Sequence, residues 1–380
     1  MPMPHRKNAR SDIHSVNAQA FQFHDMKKLD LLHNQWRALQ PLSARKQYLL
    51  SQRFTVDYNF NSNHIEGNTL TYGQTELLLL LGKVSGEGDL KDFADMKASQ
   101  VSFDMMRESV NLTDTPLNQN FIRQLHKVLL REDYTVYRTL PAGVQTSYVI
   151  HAGQYKTRPN SVITRYGDRF EYASPEETPA LMTDLVDWYN KAEQSGEYSP
   201  VELAALFHYR YIRIHPFEDG NGRIARMLVN YILARHDWPM IVVRTRNKQK
   251  YLEALHQSDL KVGSNTSEGA HASLKHISAF LSYFTKLVES ELKYNIDFAT
   301  ETSPNVWWYD GQKVVFRSPS SALILSAIDS APNITIDEIA KKVGIVPRAV
   351  KKQLSRMVEK GYIQRRDADR SWYVFASQSI

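Results

Sequence analysis

Ile214-His215-Pro216-Phe217-Glu218-Asp219-Gly220-Asn221-Gly222-Arg223-Ile224-Ala225-Arg226 decides the reading of this chain. It sets a base, an acid, a glycine-rich turn and two arginines between two helical patterns, Pro200 to Ile214 and Asn221 to His236. Each part suits a nucleoside triphosphate. Gly220 and Gly222 free the backbone so that consecutive N–H groups can converge at the start of a helix and cradle phosphate oxygens. Arg223 and Arg226, spaced i, i+3, share one helical face and could neutralise adjacent phosphates. Asp219 offers a hard oxygen for magnesium, which one carboxylate and several phosphate oxygens usually hold. The ordinary pKa of histidine, near 6.5, leaves part of His215 neutral at pH 7 and able to accept a proton from an attacking hydroxyl. Phe217 is expected to bury its ring and pin the loop. A histidine followed by proline is ordinarily a structural loop residue, but two glycines in a first helical turn cost about 0.5–1 kcal/mol each relative to alanine. Ligand approach explains that cost better than packing does.

The string resembles the signature of Fic domain proteins, H-P-F-x-[DE]-G-N-G-R-x-x-R, and matches it at every defined position. The resemblance implies a mainly α fold with a Fic-type helical core and a β-hairpin flap. It implies His215 as general base, Asp219 as magnesium ligand, and Gly220, Asn221, Gly222, Arg223, Ile224, Ala225 and Arg226 as the ATP triphosphate site. The implied reaction is attack of a Ser, Thr or Tyr hydroxyl on the α-phosphate, with pyrophosphate leaving. Doc-like kinases of the same superfamily carry Lys where Gly222 stands, so Gly222 points to AMP transfer.

Flanking segments extend the resemblance to most of residues 40 to 290. The hairpin at Val162 to Tyr172 stands where the family has its flap, which holds a target protein by strand addition. Gly153-Gln154-Tyr155-Lys156 is similar to the family's G-x-Y-R, with Lys156 departing from Arg. Tyr251-Leu252-Glu253-Ala254-Leu255 is similar to the segment lining the adenine pocket, which implies a base contact for Tyr251; a tyrosine packed on a helix is the alternative. Ser62-Asn63-His64-Ile65-Glu66-Gly67 resembles the inhibitory motif [ST]-x-x-x-E-[GN]. The resemblance implies a brake formed by Ser62, Glu66 and Gly67, in which Glu66 pairs with Arg226 and removes a γ-phosphate ligand. Release of the brake is expected to bring self-modification.

Outward from these motifs, Leu29, Leu31, Leu32, Trp36 and Leu39 predict an amphipathic helix ending before Pro41, while residues 1 to about 20 are expected to fray. Further helices are expected at Ala44 to His64, around Leu77 to Leu81 behind Thr71, at Asp92 to Val110 and after Pro116. Only one hairpin is expected in this body. After Ser318 three short helices and two strands around a polar tip at Asp367 to Arg370 resemble a winged helix-turn-helix. The expected division is an N-terminal helical region carrying the brake (1–110), a catalytic core (111–290), a linker (291–317) and the winged module (318–380).

Composition excludes several classes. The 380 residues are 42% hydrophobic and 23% charged, as in ordinary globular chains. The longest apolar run, Leu77 to Leu81, is far short of the roughly 20 residues of a membrane span. No apolar stretch follows the basic start as in a secretory signal, so the cytoplasm is the default compartment. The absence of cysteine rules out disulfides, thiolate metal sites and a cysteine nucleophile. Thirteen scattered histidines make no metal constellation, and His208 reads as packed in its helix. There is no H-E-x-x-H and no G-x-x-x-x-G-K-[ST]. Of the net +6, residues 341–370 contribute ten basic side chains against three acidic ones. Polyanion attraction should therefore be local to this end, which makes a DNA-binding regulator the main rival reading, with Lys351, Lys352 and Arg356 meeting phosphates. A Fic-type transferase using another nucleotide donor is the narrower rival, and a homodimer is left open.

Overall fold

The computed structural model describes residues 27–112, 114–139, 143–163, 169–366 and 370–378. The expected fraying of residues 1 to 20, the flap tip and the polar tip at 367–369 lie outside them. The fold is mainly α, as expected. Its centre is a pair of helices, α7 (Pro200–Ile214) and α8 (Asn221–Arg235), joined by the motif loop. Every residue from Leu203 to Tyr211 is buried, so α7 is enclosed on all sides as a central helix must be. Pro200 sits in its first turn behind a Ser199/Glu202 capping box, which satisfies both ends of the local hydrogen-bond demand.

Around this pair lie α1 (residues 27–38), α2 (Ala44–Ile65), α3 (Tyr72–Leu81), α4 (Leu90–Val110), α5 (Gln119–Leu130) and α6 (Thr178–Ser195). On the other side are α9 (Lys248–Val262), α10 (Thr266–Ala270) and α11 (Ser278–Thr300). Leu29, Tyr58, Phe103 and Met106 enter the same hydrophobic cluster as Phe207, Leu228 and Phe284. The N-terminal helices therefore share one core with the motif-bearing pair.

Two expectations need correction. Among the described residues the body holds two hairpins: β1 (Tyr134–Thr139) pairs antiparallel with β2 (Gln145–Ile150) before β3 (Ser161–Ile163) pairs with β4 (Arg169–Glu171). Tyr134, Val136, Tyr148 and Ile150 turn one face of the first hairpin onto Leu130, a period-2 pattern. Nor is 291–317 a linker. Helix α11 continues to Thr300 because Leu292, Asn295, Phe298 and Ala299 keep burying one face. A third hairpin follows, β5 (Val306–Tyr309) with β6 (Gln312–Val315). Alternation along β5 sends Trp307 into the C-terminal core and Trp308 against Phe298 and Tyr294 of α11.

The C-terminal module stacks α12 (Pro319–Ser330), α13 (Ile336–Val343) and α14 (Pro347–Glu359) against β7 (Ile363–Arg365) and β8 (Trp372–Val374). Its own core is Ile324, Leu325, Ile339, Val350, Leu354 and Trp372. Gly344, at φ 74°, makes the left-handed turn between α13 and α14 that a side chain would strain.

Where α2, α11 and the β5–β6 turn meet, Arg244 is 2% exposed and is surrounded by carboxylates. It reaches Asp57 and Glu291 at 3.0 Å and Asp310 at 3.5 Å. Removing one partner of such a cluster strands the others in low dielectric. Arg244→Ala is expected to cost about 3–5 kcal/mol, read as a lowered urea midpoint; an unchanged midpoint would contradict this account.

Candidate functional site

Helix α7 ends at His215, which is in the left-handed region at φ 52° and donates its N–H to the Tyr211 carbonyl at 2.9 Å. The carbonyls left over at this end are collected by Lys156. Its ammonium donates to Ile214 O at 3.0 Å, His215 O at 2.9 Å and Asn160 Oδ1 at 2.9 Å, while its backbone N–H reaches Pro216 O. A cation on the negative end of a helix is favourable. Burial nevertheless pulls the lysine down to about 7, against the attraction of Glu177. Lys156 is thus a cap for the motif.

Phe217 is fully buried and stacks face to face on His126, ring centres 3.7 Å apart. The side chain of Asn221 accepts from Phe217 N–H at 2.9 Å and donates to Phe217 O at 2.7 Å, closing the loop onto the first turn of α8. His126 does the same for the acidic corner. Its Nδ1 accepts from Gly153 N–H at 2.9 Å, so Nε2 carries the proton and donates to Asp219 O at 3.0 Å. Burial pushes His126 down to about 4, in keeping with that neutral tautomer. Asp219 Oδ1 accepts from Gly220 N–H at 2.6 Å, and Oδ2 accepts from the Tyr134 hydroxyl at 2.5 Å. Burial raises the Asp219 carboxyl, but Arg223, 3.9 Å away, and then Tyr134 outweigh it and hold the group below its usual range.

The N-terminus of α8 has no side-chain cap, and Gly220 before it is at φ 75°. Arg223 is buried with its Nε lacking a hydrogen-bond partner. Arg226 is 3% exposed and is held by the end of α2: Nε donates to Ser62 Oγ at 3.1 Å, and Nη2 donates to Ser62 O at 2.8 Å and Glu66 Oε1 at 2.7 Å. A Cβ on Gly222 would collide with that same Glu66 oxygen, so the carboxylate lies directly over the first turn of α8. Glu66 is the cap residue of α2, and Gly67 behind it, at φ 101°, lets the chain turn away.

His215 is half-buried, with Nδ1 withdrawn from solvent. The flap residue Tyr172 stacks on the imidazole at 3.9 Å. Burial, and then repulsion from Lys156, pushes its pKa down to about 3, so it is neutral at pH 7. Tyr251 shares a hydrogen bond of 2.9 Å with His208 Nε2 and lines a cavity of ≈ 10 Å³ with Ser62, Arg226 and Phe280, about the room of one water.

The structure thus brings Ser62, Glu66, Gly222 and Arg226 into one contact group and Asp219, Gly220 and Arg223 into another beside it. Three predicted residues stand differently. The side chains of Ile224 and Ala225 are wholly buried in the core, because the helical period turns them inward. The amide of Asn221 is spent on Phe217, leaving only its backbone for a ligand. His126 and Tyr134 carry no motif and were missed, as was the capping by Lys156. The aromatic start of β1 was the only signal for Tyr134.

His208 provides a pH test. Burial, and then Arg226, pushes its pKa from 6.5 down to about 3. Its contribution to stability is complete above pH 6.5 and drains away as pH falls toward 3, since the unfolded chain takes up the proton first. His208→Gln is expected to lose less stability than the wild type between pH 7 and 4.5, by about one proton per molecule in the slope. Equal losses in urea titrations would refute this.

The Fic/DOC family pattern matches residues 116–233, and a winged helix-turn-helix DNA-binding pattern matches residues 321–364. A solved Fic domain containing signaling protein from Bacteroides thetaiotaomicron is 47% identical, covering 73% of this chain and 98% of that one, with a TM-score of 0.67. A Fic family protein from Desulfovibrio desulfuricans, at 16% identity, shares the fold over 93% of this chain and 95% of its own, with a TM-score of 0.52. Protein adenylyltransferase fic-1 of Caenorhabditis briggsae is 25% identical over 285 residues, 74% of this chain and 49% of that protein. The chain therefore spans about half the length of such named relatives. With the signature loop, the helical pair that carries it and these matches together, the chain belongs to the Fic/DOC family.

Proposed function

We propose that this chain is a protein adenylyltransferase held off by its own Glu66, moving AMP from ATP to a Ser, Thr or Tyr hydroxyl of a target protein and, once released, of itself. One observation carries the reading: a carboxylate lies over the uncapped start of α8 and pairs with Arg226. A helix start that gathers an anion from elsewhere in the chain is an anion site. The relatives named protein adenylyltransferase support the donor and the transferred group.

The polyphosphate fits the uncapped N–H groups of α8, the orphaned Nε of Arg223 and, once Glu66 withdraws, Arg226. Asp219, an ionised hard oxygen beside a recess of ≈ 360 Å³, fits a magnesium ion, which when bound would offset phosphate charge. Tyr134 and His126 hold the Asp219 carboxylate and carbonyl in place. His215, kept neutral, takes the proton of the attacking hydroxyl. A bond forms between that oxygen and the α-phosphorus, the bond from the α-phosphorus to its bridging oxygen breaks, and pyrophosphate departs. The short β3–β4 hairpin, with both outer edges unpaired among the described residues, suits a target segment added as a strand.

The test is intact-mass analysis after incubation with ATP and magnesium. Glu66→Gly is expected to gain adenylyl mass at least tenfold faster than wild type, on the order of what one buried charge-assisted contact controls. His215→Ala in the same background should gain none. A Glu66→Gly rate equal to or below wild type would remove the brake, and incorporation without His215 would remove the base.

The winged module has its own reading. Arg348, Lys351, Lys352 and Arg356 on α14 and Arg365 on β7 are exposed, an arrangement that suits the phosphates of duplex DNA. Affinity for random duplex should fall steeply between 50 and 200 mM salt, by at least about tenfold. A salt-independent retention in gel shifts would exclude phosphate binding.

A further inference from the structure

Helix α2 carries more than Ser62 and Glu66. Arg53, Asp57 and Asn61 are spaced four apart and form one buried stripe that runs to the end of the helix where Glu66 stands. Each of the three is tied to the far end of the chain. Arg53 donates to Trp308 O and, at 3.0 Å, to Ser377 Oγ. Asp57 pairs with Arg244, which pairs in turn with Glu291 of α11 and Asp310. Asn61 donates to Asp310 Oδ1 at 3.1 Å and accepts from Thr245 N–H at 2.8 Å. Asn61 is the residue before Ser62, whose hydroxyl and carbonyl hold Arg226.

Asp310 and Gly311 form the tip of the β5–β6 hairpin, both with positive φ, 43° and 59°. The tip is pressed onto Arg244, since any Cβ on Gly311 would overlap the guanidinium. The hairpin is anchored in the winged module on one face and against α11 on the other. Trp307 lies in the module's core, and Trp308 bridges to Ser377 of the C-terminal tail. Tyr309 packs edge-on to Tyr362 beside β7, 5.2 Å away, and on its other side faces Tyr72 at 4.7 Å. Tyr72 donates to Asp57 at 2.6 Å. Phe375, just past β8, fills the space over Gly73 so closely that a side chain there would clash.

We infer that the tip of the β5–β6 hairpin, carried by the winged module, is a positioning device for the brake. It holds the last turns of α2 in the placement that seats Glu66 on Arg226, so that displacing the module from α2 weakens the brake. The inference rests on the adenylyltransferase reading for its activity arm only. The contacts are buried and directional, and Asn61 hands them to Ser62 through a single peptide bond, so a change at the tip reaches the Glu66–Arg226 pair without crossing a loop.

Asp310→Gly removes the side chain while keeping the positive φ, and Asn61→Ala cuts the same link from the helix. Both are expected to raise adenylyl incorporation by roughly five-fold or more in the protein that retains Glu66. In the Glu66→Gly background neither should add anything, because the brake they act through is gone. Both should speed hydrogen exchange over residues 57–66 in the full chain. Unchanged exchange, or a similar rise in the Glu66→Gly background, would overturn the inference, as would a fall in activity shared by both backgrounds. If Glu66→Gly itself incorporates nothing, the activity reading fails, and the exchange comparison alone then decides whether the hairpin tip holds α2.

Discussion

A guanidinium taken out of water has to be answered by oxygen atoms, and at the motif that demand is set by Arg226. It lies in the central helix, nearly enclosed, and the oxygens that answer it come from α2: the hydroxyl and carbonyl of Ser62 and the carboxylate of Glu66. Phosphate oxygens would answer it equally well. In the reading proposed above, brake and donor compete to satisfy the same buried donor, and neither leaves Arg226 unpaired. The full desolvation cost of a lone buried arginine never has to be met in either state.

The motif loop depends on residues outside the motif. Lys156 gathers the carbonyls at the end of α7, His126 bridges Gly153 to Asp219, and Tyr134 orients the Asp219 carboxylate. Asn221 closes the loop on itself through Phe217. Such second partners fix the direction in which a reactive group points, and a site built without them is loose. The neutral state of His215 has a similar origin. It follows from burial beneath Tyr172 and from the neighbouring ammonium of Lys156, which outweigh the opposing pull of the Ile212 backbone and Asp219.

The helical body and the winged order at the C-terminus were legible because periodic burial and turn residues are local signals. Pro200 in the first turn of α7 is such a signal, and the structure begins the helix there. The contact of Glu66 with Arg226 was anticipated through resemblance, since nothing local in a six-residue string says which arginine, 160 positions on, it will meet. What stayed hidden was long-range. Tyr134 meets Asp219 across 85 positions, and Asp310 meets Asn61 across 249. The segment 291–317 read as a linker because Trp307-Trp308-Tyr309 and the Ser318-Pro319-Ser320-Ser321 cluster mark a boundary in the sequence. Its two tryptophans in fact face two different cores, a distinction that only the packed structure makes. Ile224 and Ala225 show the converse: membership of a signature says nothing of which way a side chain faces.

Gly222 is crowded by Glu66 and Arg226, and its φ is not among the positive ones. It is glycine for want of room, not for want of backbone freedom. Under the proposed reading, a side chain added there would evict the carboxylate and obstruct the phosphate in one stroke. A lineage in search of a permanently active form therefore has no route through this position, and heritable escape from restraint must arise on α2 or in whatever holds it.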